Sequence, residues 1–173
     1  MAKRIYFAPL GCAKNQVDGE IMLGRAIAEG HVVVTSSMAG LACAAFSAPY
    51  QTSKFGAYAV AESLAHDLRA SGIPIGVSAL CPGAVNTRIA ESGRNRPTDL
   101  PAKGGEDVDF VEGALADMAG QRGIDPSEVA ARVVAGVQAG DFLIPTNDAY
   151  ADQLRTHTAA QIARALPPMA EFS

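Results

Sequence analysis

Short apolar runs alternate along the chain with longer stretches whose apolar residues recur at helical spacing. "RIYFAPL" (4–10) is short, β-branched and aromatic, and Gly11 ends it, which predicts a buried strand. "NQVDGEIMLGRAIAEG" (15–30) sets Val17, Ile21, Met22 and Ile27 at helical spacing, with Gly30 as the expected stop. "HVVVTSS" (31–37) predicts a second buried strand. A long helix is expected from about Pro49 to Ala70, because proline is tolerated in a first turn and Ser71-Gly72 ends the pattern. "IPIGVSAL" (73–80) predicts a third strand, stopped by Pro82-Gly83. Residues 91–107 carry Gly, Pro and charge and predict a loop. Helices follow near 108–121 and 126–139, the second started by Asp125-Pro126 with Glu128 at the positive end of its dipole. "DFLIP" (141–145) predicts a fourth strand and 148–166 a terminal helix. Strands alternating with helices imply an α/β fold: a small parallel sheet of about four strands, flanked by helices on both faces.

Length and composition change this picture little. The 173 residues suit one domain, with 49% hydrophobic and 18% charged residues, a globular balance. The net charge of −4 and the lack of a basic run favour neither nucleic acid nor an anionic membrane as partner. With no bilayer-length apolar run and no secretory pattern at the N-terminus, the expected compartment is the cytoplasm. Cys12, Cys43 and Cys81 are far apart and odd in number, which predicts isolated reduced thiols. His31, His66 and His157 show no ligand spacing, so no metal site is expected.

The candidate chemistry lies at Tyr50 and Lys54, which stand at i and i+4 and project from one helix face. A free phenol has a pKa of about 10, too high for ready proton exchange at neutral pH. A nearby ammonium favours the phenolate. Such a tyrosine can give a proton to a carbonyl oxygen or take one from an alcohol. Ser36 and Ser37 end the preceding strand, where α/β sheets place ligands. Of the two, Ser36 is expected only to satisfy backbone groups. Phe55 and Tyr58 lie along the same helix with Ala59 and Leu64, which predicts a core stripe.

"VVVTSSMAGL", "PYQTSK" and "ALCPGAVNT" together resemble the short-chain dehydrogenase/reductase family. Ser37 stands thirteen residues before Tyr50, residues 50–54 match YxxxK, and Pro82-Gly83 with Thr87 match PGxxxT. The likeness runs from about Gly30 to Thr146 and includes "DPSEVAARVVAGVQAGDFLIPT". It implies a Rossmann-like fold and an NAD- or NADP-dependent oxidoreductase interconverting an alcohol and a carbonyl. Tyr50 would exchange the proton, Lys54 would tune it and bind the nicotinamide ribose, and Ser37 would bind the reacting oxygen. Pro82, Gly83 and Val85 would line the nicotinamide, and Thr87 would bind its carboxamide. Residues 91–121 would form a substrate lid, and helix 49–70 would pair two copies as a homo-oligomer.

The sequence departs from the family upstream. It has no TGxxxGxG turn, no NNAG segment and only 36 residues before Ser37, which implies a truncated sheet without the adenosine and pyrophosphate site. A non-catalytic fragment or interaction protein is therefore the alternative. Residues 2–25, with "LGCAKNQVDGE", resemble instead the start of radical-SAM methylthiotransferases. That resemblance implies a β-α unit of other origin over 1–29, joined near residue 28 to a catalytic half over 30–147. It makes an iron–sulfur methylthiotransferase fragment the second alternative. Cys12, the match to a cluster cysteine, is expected to be a leftover thiol, because no CxxxCxxC follows it.

Overall fold

The computed structural model describes the backbone of residues 4–9 and, beyond them, residues 30–89, 91, 94, 97, 99 and 105–170. The helix expected over 15–30, Cys12, and most of the loop expected over 91–107 lie outside these residues. The elements are β1 (Arg4–Pro9), β2 (Gly30–Thr35), α1 (Ala48–Ala70), β3 (Gly76–Cys81), α2 (Glu106–Arg122), α3 (Pro126–Ala139), β4 (Leu143–Pro145) and α4 (Tyr150–Ile162). The four strands form one parallel sheet in the order β1-β2-β3-β4. This is the α/β architecture that the alternation of elements predicts. Gly30 opens β2, opposite Arg4; the helix it is expected to stop lies outside the described residues.

Apolar runs become strands here because the sheet is covered on both sides. Val34, Val77, Ala79 and Cys81 pack on one face against Ala57 and Ala61 of α1. Val33, Leu80 and Ile144 pack on the other against Val133 and Val137 of α3. Two-sided burial removes the need for polar alternation, and each fully buried aliphatic side chain contributes about 1.5–3 kcal/mol. α1 approaches through its small residues. Its buried positions are Gln51, Ala57 and Ala61, with Tyr58 and Leu64 half-buried, while Phe55 and Ala59 face outward. The expected stripe is thus rotated: alanines, not the aromatic residues, let the helix lie close to the sheet. α4 joins the α1 side through Tyr150 and Leu154.

Helix ends follow local chemistry. After α1, Ile73 N–H donates to Leu68 O at 2.9 Å and Gly72 N–H to Arg69 O at 3.2 Å, with Gly72 at φ 65°. This closing turn uses the left-handed conformation that glycine adopts without strain. It also consumes residues 73–75, so β3 begins at Gly76 and not at Ile73. α3 starts at Asp125, whose carboxylate accepts from Ser127 N–H at 2.8 Å. The chain then closes at Gly140 (φ 78°), with Asp141 N–H donating to Gly136 O at 2.9 Å. That closure shortens the strand expected over 141–145 to Leu143–Pro145.

Gly136 is where α3 meets β4: a Cβ there would lie 2.8 Å from Cδ1 and Cγ1 of Ile144. Gly113 in α2 faces open space. Gly136→Ala is expected to lower stability by about 1–3 kcal/mol through overpacking. Gly113→Ala is expected to raise it by about 0.5–1 kcal/mol through helix propensity. Urea unfolding of the two variants checks both signs.

Candidate active site

Parallel sheets bind ligands beyond the carboxyl ends of their strands, and the sequence-predicted site residues gather at that edge. Pairing of β2 with β3 continues past the strands: Ser36 N–H donates to Leu80 O at 2.8 Å and Met38 N–H to Pro82 O at 3.0 Å. Ser37 is thereby held beside Pro82. It caps a short 3-10 turn, Met38–Gly40, its Oγ accepting from Ala39 N–H at 3.1 Å. The same hydroxyl donates to Pro82 O at 3.4 Å, a long bond. A donor held so loosely can be redirected to a substrate oxygen at little cost.

The helix with Tyr50 and Lys54 is tied to this strand end by Ser36. Its buried hydroxyl donates to the Lys54 carbonyl at 2.8 Å, crossing from β2 to α1. Gly40 lies in the gap beneath. A Cβ there would meet Ser36 Oγ and would lie 2.7 Å from Lys54 O. On α1 the Lys54 ammonium stands 5.6 Å from the centroid of the Tyr50 ring, within cation–π range. Both side chains are half-buried.

Behind the pair lies Cys81, fully buried at the end of β3. Burial pushes its thiol up to about 11, opposed in part by hydrogen bonds from Ser36 and Ser37 and by the charge of Lys54. Backbone pairing of Ser36 with Leu80 and of Met38 with Pro82 brackets Cys81 at this strand end. At neutral pH the thiol is protonated and serves as core. Cys43, by contrast, is exposed.

The remaining predicted residues follow β3. Gly83 N–H donates to the buried Thr146 Oγ1 at 3.0 Å, which ties the segment to the end of β4. The Thr146 carbonyl accepts from Arg132 at 2.9 Å. Val85 is bridged to Ile124, with Ile124 N–H on Ala84 O at 3.2 Å and Asn86 N–H on Ile124 O at 2.9 Å. Thr87 lies exposed just past that bridge, apart from the hydrogen-bonded cluster. The structure therefore joins Ser37 to Pro82, and ties Ser36 of the same strand end to the Lys54 backbone, while Gly83 is fastened to Thr146 and Val85 to Ile124. Gly40, Thr146 and Arg132 were missed by motif reading. Gly40 and Thr146 are signalled only by their position shortly after a strand end, and Arg132, inside α3, by nothing in the motif pattern. Ser36 plays the backbone-satisfying part expected of it, and the backbone it satisfies is that of Lys54.

Residues 15–97 match the sequence model of the short chain dehydrogenase family. The match begins upstream of Gly30, within the segment expected to be of other origin, and nothing in these comparisons supports a methylthiotransferase origin for it. A probable oxidoreductase, EphD, of Mycobacterium tuberculosis is 34% identical over 111 residues, spanning 63% of this chain and 18% of its own. The C alpha-dehydrogenase of a Sphingobium species is 28% identical over 138 residues, 80% of this chain and 44% of its own. Among solved structures, a short chain dehydrogenase/reductase from Burkholderia phymatum in complex with NAD superposes with a TM-score of 0.77 at 27% identity. The overlap covers 83% of this chain and 52% of that one. A short-chain dehydrogenase structure from Novosphingobium aromaticivorans gives 0.57 at 26% identity, over 83% and 40%. This chain thus spans less than half the length of these curated relatives and 40–52% of these solved chains. No helix among the described residues is long and apolar enough to cross a membrane.

Two outcomes test the site's construction. Gly40→Ala is expected to destabilise by about 1–3 kcal/mol, because the new methyl meets backbone and a held hydroxyl; an unchanged urea midpoint would show that the gap is slack. Cys81 sets an alkaline limit. Its thiol is raised from 9.0 to about 11, so the unfolded chain ionises before the folded one does. Stability is full below pH about 9, falls by roughly 2–3 kcal/mol as pH rises to about 11, then levels. Burial also raises Tyr58, in the same direction. Thermal melts across this range should show the fall, and Cys81→Ala should flatten part of it.

Proposed function

We propose that the chain carries the catalytic half of an NAD(P)-dependent oxidoreductase that interconverts an alcohol and a carbonyl. The observation that supports this most is the joint between the two motifs. The Ser36–Lys54 hydrogen bond and the Gly40 contact hold the Ser37 strand end and the Tyr50–Lys54 turn together. A chance YxxxK would have no reason to be fastened to a serine-bearing strand end at this edge of the sheet.

The described residues fit the nicotinamide half of such a cofactor. The half-buried segment 82–85 offers backbone and small side chains at the end of β3, with Gly83 anchored by Thr146. When bound, the nicotinamide supplies or accepts the hydride, which no side chain here can carry. The protein's own residues do the rest. Ser37 Oγ leaves its long bond to Pro82 O and donates to the substrate oxygen. Tyr50 Oη gives a proton to that oxygen during reduction, or takes one from it during oxidation. Lys54 places its positive charge beside that phenol and offers donors to the ribose hydroxyls. Thr87, exposed after the Val85 bridge, would bind the carboxamide. The outward residues of α1, including Phe55 and Val60, would pair two copies. The N-terminal resemblance to methylthiotransferases carries no part of this reading.

A second reading, a non-catalytic interaction protein, is favoured by the edge position of β1, whose outer side pairs with no strand among the described residues. Titration with NADH and NADPH separates the two. Saturable fluorescence change is expected, with Tyr50→Phe keeping that binding within about threefold while losing turnover by roughly 10²–10⁴-fold. Absence of binding at millimolar cofactor would overturn the oxidoreductase reading and leave the second.

A further inference from the structure

The loop between Ser37 and Tyr50 holds a bulky residue in a conformation that bulky residues avoid. Phe46 has φ 60° and is 74% exposed. A left-handed aromatic residue is a genuine outlier, and such strain persists only where the surroundings over-determine it. Here they do, because three consecutive carbonyls just before it are tied. Cys43 O accepts from Ala170 N–H at 2.8 Å, Ala44 O from Gln51 Nε2 at 2.9 Å, and Ala45 O from Ser47 Oγ at 3.2 Å.

The strain gains nothing for the helix that follows. A residue just before an N-cap usually packs on the fourth helical residue. Ser47 is the N-cap of α1, so that residue is Gln51, a buried amide already bonded to Ala44 O. Phe46 instead meets Phe110 of α2, edge to face, with centroids 5.8 Å apart and planes at 78°. Phe110 is itself 63% exposed. Two large rings from different elements therefore stand together, with most of their surface open, next to the first turn that carries Tyr50.

We propose that Phe46 and Phe110 form a specificity-determining aromatic pair that receives a flat apolar ring on the substrate, so that the class taken is an aryl alcohol or aryl ketone. This rests on the oxidoreductase reading for what the substrate's oxygen does, but the ring contact itself needs no cofactor. A third ring added to an edge-to-face pair gains preferred geometry beyond its area. Through Phe46, the pair stands on the loop that leads directly into the first turn of α1, which carries Tyr50.

Ligand-observed NMR on the full chain, with and without NADH, tests this with acetophenone, cyclohexyl methyl ketone and 2-octanone. Acetophenone is expected to bind about 5- to 10-fold tighter than the saturated ring of the same size, with or without NADH. Phe46→Gly should keep or raise the melting temperature, since glycine adopts φ 60° freely, and should abolish the preference. Phe110→Leu should do the same while keeping an apolar side chain. Equal affinity for the three ketones, or an unchanged preference in Phe46→Gly, would overturn the proposal. So would a dimer that Phe110→Ser dissociates, which would assign the pair to contact between copies. Failure of NADH to bind while the ring preference stands would sink the oxidoreductase reading alone.

Discussion

Everything at the reactive edge depends on one hydrogen bond between a strand end and a helix backbone. The Ser36 hydroxyl bonds the Lys54 carbonyl at 2.8 Å, and no side chain larger than hydrogen fits at Gly40 beneath it. A buried hydroxyl left without its partner costs about 1–3 kcal/mol, so strand and helix have a strong reason to stay in register. Ser37 inherits its place from Ser36, and Tyr50 inherits its place from Lys54. Cys81 closes the same volume from the sheet side with a neutral thiol.

That joint works only because the sheet is rigid beneath it. β3 is buried on both faces, with α1 against one and α3 against the other. The ends of its neighbours are tied across it, Ser36 to Leu80 and Gly83 to Thr146. The site is therefore built on packed elements, while the aromatic pair stands on a loop and on α2, away from the core. Rigid chemistry beside more variable recognition is the usual division in α/β proteins.

Much of this was legible in the residues. The runs around Val33 and Leu80 predicted parallel strands because burial on both faces leaves continuous apolar sequence. The Tyr50 and Lys54 spacing marked the candidate site because helix geometry puts i and i+4 together, and the family resemblance added Ser37. Element ends were less legible. Ile73 and Asp141 look like strand in composition, yet both are used by the closing turns after α1 and α3. The Phe55 stripe misled, because small alanines at 57 and 61 allow closer approach than an aromatic face does. The φ of Phe46 leaves no sequence trace at all, since it is imposed by three hydrogen bonds from distant and local partners.

Sequence alone determined the class of fold, the order of its elements and the identity of the candidate chemical groups. These follow from local periodicity, from turn residues and from side-chain type, which neighbouring residues carry with them. Tertiary structure alone decided that Ser36 grips Lys54, that Gly40 must be glycine, that Thr146 anchors Gly83, and that Phe46 meets Phe110. Each joins residues from separate elements, and such contacts exist only once long-range packing has brought the elements together.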